Sequence, residues 1–524
     1  MSAQNIINQY QQSSNISQII KAFKQDKNHF QITNLVGSSL SFVISETFKT
    51  SEKPYLLIFN DKEEAAYYLN DLEQLLGEKN VLFYPGSYRR PYQIEEVDNA
   101  NVLLRSEVLN RINSQKKAAI IVTYPAALFE KVVTKKELEK NTLKVTVGEN
   151  LSLDFVNELL FEYKFKRVDF VTEPGDFSVR GGIVDVFSFS NDEPYRIEFF
   201  GDEIESIRSF DVATQLSKEK LKKVAIIPNI EKKTLQEHRQ SFLKYISANT
   251  IIFTKNTGLL FGSLDSLFLK SENAFNDLSK EINHVKPSEL FCNGAFIRKQ
   301  LKEFSLVDFG NQDKPFNTVS SEIIQFNTIP QPSFNKQFNL LIDNLTAYHK
   351  GGFKNYIFCA NEQQAKRFHD IFDDSEQEVH YETVVFPLYQ GFVDVDNRLV
   401  CYTDHQIFER YHKFRLKNGY AKKQAITIQE LNKLEIGDYV THMDHGIGKF
   451  GGLQKIDVQG NKQEAIKLVY GERDILYVSI HSLHKISKFN GKDGKTPKIY
   501  KLGSGAWKKI KQKTKARVKH VAFN

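Results

Sequence analysis

Cysteine is scarce in this chain of 524 residues: Cys292, Cys359 and Cys401 are its only three, far apart and odd in number. That usage excludes a disulfide framework and a zinc knuckle, and it fits a reducing compartment. Long apolar runs are lacking too; no stretch approaches the roughly 18 residues that a membrane-spanning helix needs. The first residues are polar and rich in Gln and Asn, with no basic segment leading into an apolar one, so no secretory signal is expected. The expectation is a cytoplasmic, monomeric protein without membrane contact. At roughly 150 residues per domain it should hold three or four domains. Hydrophobic residues at 41% and charged residues at 26% exclude wholesale disorder.

A surplus of charge is also missing from most of the chain. The formal net charge is +7, but the segment from Lys495 to Lys519 holds ten Lys/Arg and no Asp/Glu, leaving 61 basic against 64 acidic residues elsewhere. Charge-driven contact with phosphates is therefore confined to that tail.

Equally absent is a phosphate-binding loop. Such a loop needs G-x-x-x-x-G-K-[ST], so that backbone N–H groups and a lysine meet the phosphates. Where it belongs, after the first strand, the chain reads Val36-Gly37-Ser38-Ser39-Leu40-Ser41, without a lysine. Gly494-Lys495-Thr496 is a decoy, because no strand leads into it and Pro497 follows. No apolar strand ends in an Asp-Glu pair that could hold a metal. There is no G-x-S-x-G elbow and no H-E-x-x-H. Asp404-His405 and Asp444-His445 read as turn and capping residues. The chain is expected not to be an enzyme by itself: no catalytic residues, no metal site and no bound cofactor.

What is present is organisation. Residues 30–130 alternate short apolar strands with helical patterns, which predicts a parallel sheet covered by helices. From about residue 143 the texture turns to strands with hairpin signals, over 177–189, 195–200 and 204–210, the last two flanking Gly201-Asp202. Residues 235–330 read as mixed helix and strand returning to the first sheet. A second α/β pattern has helices at 338–349 and 363–372 and strands at 356–359 and 399–402. The run 434–489, punctuated by Gly437, Gly446, Gly448, Gly451-Gly452, Gly460 and Gly471, suggests a small β-barrel. A basic helix from Ser504 carries Trp507, Ile510, Val518 and Val521 on one stripe; that open stripe suggests a longer protein.

The fold class expected is thus multidomain α/β and α+β. Residues 1–130 and 231–330 form the two parts of a motor-like parallel α/β domain, with an α+β insert at 131–230. A small α/β domain at 331–410, a linker at 411–430, a Tudor-like β-barrel at 431–490 and a basic helix at 495–524 complete it.

Two segments carry a family resemblance. The run Glu173-Pro174-Gly175-Asp176-Phe177-Ser178-Val179-Arg180-Gly181-Gly182-Ile183-Val184-Asp185-Val186-Phe187, continued by Pro194 to Ile207, resembles the insert shared by the excision-repair protein UvrB and the transcription-repair coupling factors. Tyr84-Pro85-Gly86, Tyr92 and the segment 106–112 sit where those families place comparable residues. Ile436-Gly437-Asp438-Tyr439-Val440 to Phe450, and Leu476-Tyr477-Val478 to Ser487, resemble the polymerase-interacting module that coupling factors share with CarD-type regulators. Leu502-Gly503-Ser504-Gly505-Ala506-Trp507 resembles the joint between that module and the coupling-factor motor. UvrB has no such module, and a CarD-type regulator would not carry the long UvrB-like part before it. A UvrB-like damage-loading protein and a CarD-type regulator are the rival readings.

The resemblance implies an adaptor on a degenerate motor fold. It implies UvrA binding through Arg180, Arg196 and Phe200, with Phe199 and Phe200 competing for the exposed place. It also implies contact with the RNA polymerase β subunit through Ala465, Ile466, Lys467 and Leu468, centred on Ile466. Two ATP-dependent translocase domains, which would hold ATP and magnesium and most of the DNA contact, and a regulatory domain would follow Asn524. The basic helix 495–519 is a further candidate for DNA contact.

Overall fold

The computed structural model describes residues 4–502 apart from 26–27, 88–98, 114–116, 190, 192, 213, 230–238, 278–284, 311–321, 376, 411–433, 443–444, 459–460, 472–473, 480–485, 490–496 and 498. The linker at 411–430, most of the basic helix at 495–524, Gly494-Lys495-Thr496, Tyr92 and Asp444 lie outside the described residues. The chain divides into two compact units, Met1–Asn141 with Ile230–Asn418, and Thr142–Asn229 with Gly419–Asn524.

The first unit is built on a seven-stranded sheet in the order Glu322–Gln325, His29–Thr33, Ser305–Asp308, Ile251–Thr254, Tyr55–Ile58, Ile120–Thr123, Val81–Tyr84. All its pairings are parallel. Four of its strands, YLLI, VLFY, IIVT and IIFT, are buried throughout, as a sheet covered by helices on both faces requires. The helix Lys62–Leu76 follows the local rules closely: Asp61 caps it by accepting from the Glu64 N–H, Glu63 and Glu64 sit in its first turn, and Gly77 at φ +82° ends it. The strands from 251 onward join a sheet begun near residue 29, so the domain is discontinuous in sequence.

A second, mixed sheet in this unit runs Thr328–Pro330, Phe392–Asp394, Leu399–Thr403, Lys354–Cys359, Glu382–Val385. Its core joins Leu341, Leu345, Ile357, Phe368, Val400 and Tyr402. Two N-terminal helices, Gln4–Gln11 and Ser14–Ala22, were not legible in the polar start of the chain. Their few apolar residues do the packing: Ile6 and Tyr10 are fully buried, and the Tyr10 ring stacks on Phe42 at 5.4 Å.

The second unit holds the insert and the C-terminal strands. The insert is a six-stranded sheet in the order Ser217–Leu221, Glu203–Phe210, Tyr195–Phe200, Ile183–Val186, Asp176–Arg180, Lys166–Arg167, antiparallel except for the last pair. The expected continuous strand at 177–189 is two strands joined by the turn Gly181-Gly182. Gly181 has φ +59°, and a Cβ on Gly182 would lie 2.8 Å from the Phe199 carbonyl oxygen. Both glycines are therefore dictated by the turn.

The C-terminal strands form one antiparallel sheet in the order Ile475–Ser479, Asn461–Val469, Gly446–Val458, Tyr439–His442, Ile486–Lys488. The register shifts between Phe450 and Leu453, where Gly452 takes φ +91° and bends the long strand. Leu434, Val440, Phe450, Ile466, Leu468, Tyr470, Val478 and Ile486 form its core. Among the described residues no helix is long and apolar enough to cross a membrane.

Candidate protein-interaction sites

The insert's outer face is set by strand alternation. Along Tyr195–Phe200, Tyr195, Ile197 and Phe199 turn inward, and Arg196, Glu198 and Phe200 turn outward. Phe200 is 78% exposed and Phe199 only 8%, which decides the choice the sequence leaves open. The same register lines up Ser178, Asp185, Arg196, Arg208 and Lys220 across five strands.

Arg180 and Arg196 converge on a single carboxylate. Asp185 accepts from Arg196 Nε at 2.7 Å and Nη2 at 2.9 Å, and from Arg180 Nη2 at 2.5 Å. Its side chain is 1% exposed, against 41% for Arg180 and 17% for Arg196. Burial pulls the Arg196 guanidinium down, but the bond and charge of Asp185 outweigh it and hold Arg196 above its ordinary value. Arg196 also donates to the Gln215 carbonyl at 3.2 Å and lies over the Phe210 ring. Both arginines are thus structural partners of Asp185, and Arg180 keeps the larger free surface.

Arg208 stands directly opposite Arg196. Two like charges in register repel unless each is compensated. Arg196 is compensated by Asp185, and Arg208 by Glu198, which also accepts from Ser206 Oγ at 2.5 Å. Sequence reasoning passed over Arg208: counting back across the Gly201-Asp202 turn places Ile207 opposite Arg196, and only the register shift between Glu198 and Phe199 brings Arg208 there.

In the C-terminal sheet the placement differs from expectation. Ile466 is fully buried, Leu468 likewise, and Ala465 is 1% exposed. Ile466 pairs with Leu453 on one side and Val478 on the other, so its strand is internal and its backbone edges are taken. An outward contact surface centred on Ile466 is therefore corrected: in a strand apolar on both faces, Ile466 and Leu468 went to the core, and Ala465 is buried as well. Lys467 points the other way, opposite Tyr477. On the outer strand Ile475–Ser479, Ile475 is 45% and Tyr477 43% exposed, and Tyr477 Oη donates to Gln454 at 3.1 Å.

The turn at Gly37, in the first unit, is filled from within the chain. Ser38 N donates to the Gln390 carbonyl at 3.0 Å, and Gln390 N donates back to Ser38 Oγ at 3.0 Å. A Cβ on Gly37 (φ +55°) would come within 2.9 Å of the Gln390 oxygen. Tyr389 N donates to Asp71 Oδ1 at 2.8 Å, Ser41 Oγ to Asp71 Oδ2 at 3.1 Å, and the Tyr389 ring stacks on Tyr67 at 4.1 Å. Burial pushes the Asp71 carboxyl up to about 7. The Ser38 N–H at the head of the helix Ser39–Ser51, a donor of the kind a phosphate takes, is engaged by the 389–391 turn. Asp404, the first residue of the short helix Asp404–Ile407, accepts from the Ala360 N–H at 3.1 Å, and burial lowers His405 to about 4.

The chain thus carries an Arg- and Phe-bearing insert sheet and, later in the chain, a separate antiparallel sheet. Residues 143–231 match the UvrB interaction domain, and residues 434–490 match the CarD-like/TRCF RID domain. The chain is 26% identical to the transcription-repair-coupling factor of Bacillus subtilis (strain 168) over 98% of its own length, and 25% identical to that of Staphylococcus aureus (strain Mu50 / ATCC 700699) over 96%. The chain spans about half the length of these curated relatives, 49% and 50%. Two such modules in this order, within similarity running the length of the chain, make it a relative of the N-terminal part of the transcription-repair-coupling factors.

Proposed function

We propose that this chain is the adaptor part of a transcription-repair coupling factor: its C-terminal sheet docks on RNA polymerase and its insert recruits UvrA to the lesion. The observation that supports this best is the insert's outer face. Phe200 is largely exposed on the strand of Arg196, and Arg180 and Arg196 are held by one buried carboxylate. A guanidinium fork offers two-pronged pairing with acidic groups, and an exposed aromatic supplies anchoring area.

On the C-terminal sheet the contact falls on the outer strand Ile475–Ser479 and its neighbour Lys467, with the polymerase β subunit as the partner. An outer strand offers a backbone edge to an added strand, which an internal strand does not. Displacement of polymerase by ATP-driven translocation, and most DNA contact, belong to domains outside this chain. So do ATP and magnesium; the chain itself carries out no hydrolysis. The basic segment 495–519 contributes contact with DNA. The protein acts as a monomer in the cytoplasm.

Titration calorimetry of UvrA against the wild type and Phe200→Ala tests the reading. A five- to hundred-fold loss of affinity with unchanged circular dichroism is expected, about 1–3 kcal/mol. Equal affinity overturns the assignment of this face.

A further inference from the structure

Within the second unit, one side chain joins the insert to the C-terminal sheet. Phe170 follows the strand Lys166–Arg167. Its neighbour Val171 is buried with Phe187 and Phe210 in the insert's own core, and Val168 packs against that cluster. Phe170 is only 4% exposed, and it belongs instead to the cluster of Leu434, Val440, Phe450, Ile466 and Leu468. An insert residue thus completes the core of the other module. Over the same ring lies Arg180, its guanidinium carbon 5.3 Å from the centroid, while its Nη2 donates to Asp185. Arg180 is also the more exposed of the two arginines at 41%.

We infer that Phe170 is a clasp between the insert and the C-terminal sheet, and that Arg180 locks it, so that an acidic partner drawing Arg180 off the ring loosens the sheet. The partner limb rests on the reading of this face as the UvrA contact. The physics is a competition for one guanidinium. Arg180 is half-exposed and gives Asp185 a single nitrogen besides its contact with the ring, whereas a two-pronged pairing with a partner's carboxylate is directional and charge-assisted. Coupling of this kind is reciprocal: whatever releases the sheet also frees Arg180. The two docking modules of the adaptor would then sense each other through two side chains.

Energy transfer within the full chain tests this. Dyes are placed on Ser217→Cys in the insert and Glu435→Cys beside the sheet, both exposed positions. The native Cys292, Cys359 and Cys401 are all buried, with thiols pushed up by burial, and do not compete for label. Phe170→Ser should lose transfer, and Arg180→Ala should lose part of it. Phe170→Leu, which keeps an apolar plug without a π face, should retain transfer and no longer respond to Arg180→Ala. Wild-type transfer in Phe170→Ser or in Arg180→Ala overturns the inference. UvrA should lower transfer in the wild type and not in Phe170→Leu; UvrA that binds, by anisotropy, without changing wild-type transfer also overturns it. UvrA that does not bind at all counts against the proposed function, while the Arg180→Ala and Phe170→Leu measurements still decide the clasp.

Discussion

Arg196 and Asp185 face each other across adjacent strands, joined by two parallel bonds of 2.7 and 2.9 Å, with the carboxylate almost fully buried. Arg180 reaches the same carboxylate from the next strand. The two arginines that the resemblance marks for partner binding therefore also hold the insert's sheet together, and they do so unequally.

Arg196→Ala leaves Asp185 buried with one partner and should destabilise the insert by about 1–3 kcal/mol. Arg180→Ala removes a side chain that is 41% exposed and should cost below about 1 kcal/mol. Urea unfolding followed by circular dichroism separates them; equal losses would show that exposure is not what ranks these two pairs.

Phe200→Ser should leave the melting temperature unchanged or slightly raised, because its ring is 78% exposed, whereas Phe199→Ser should lower it steeply. Differential scanning calorimetry of both variants checks this, and similar melting temperatures for the two would contradict the alternation that turns Phe199 inward.

Ile466→Arg puts a charge into a core with no partner for it and should unfold the C-terminal sheet. Tyr477→Arg, on the outer strand, should keep the fold and weaken polymerase capture. The pair is decided by hydrogen exchange of residues 439–479 alongside a pull-down with the polymerase β subunit. A folded Ile466→Arg sheet would refute its core position, and normal capture by Tyr477→Arg would move the contact off this edge.

Two groups against the 389–391 turn give opposite pH dependences. Asp71 is raised by burial to about 7, so its protonated form suits the fold; that contribution is complete below the unfolded carboxyl value near 4 and is lost as pH rises through about 7. His405 is lowered by burial to about 4, so its neutral form suits the fold; that contribution is present above about 6.5 and is lost as pH falls towards 4. Asp71→Asn should therefore make stability rise more steeply between pH 4.5 and 6.5 than in the wild type, and His405→Gln should make it fall. Denaturant midpoints across that range give the slopes, and identical slopes in the three proteins would remove both groups from the balance.

Local chemistry wrote a good part of this protein openly. The alternation of short apolar strands with helices forecast the parallel sheet, because a strand covered on both faces must be apolar at every position. The turn Gly201-Asp202 and the period-two pattern around it forecast the hairpin, because a tight turn limits which residues can sit there. The helices over 338–350 and 362–373 were legible from their apolar spacing. The N-terminal helices were not, since two or three apolar residues in a Gln-rich segment give too little period to detect, and the return of strands 251–254 and 305–308 to the first sheet was visible only as texture.

The candidate sites divide along the same line. The order of residues over 173–207 and 436–487 carried a family resemblance, and it is that resemblance which marked these segments for docking on a partner. Only the tertiary structure decided that Phe200 rather than Phe199 faces outward, that Ile466 lies inside, that Arg180 and Arg196 share Asp185, and that Gln390 closes the Gly37 turn. Each of these is a contact between residues on different strands, or far apart in the chain, or a choice between two faces of one strand that are equally apolar. Such choices carry no local signature, because strand alternation fixes that neighbours point opposite ways, and only packing against the rest of the fold fixes which way is in.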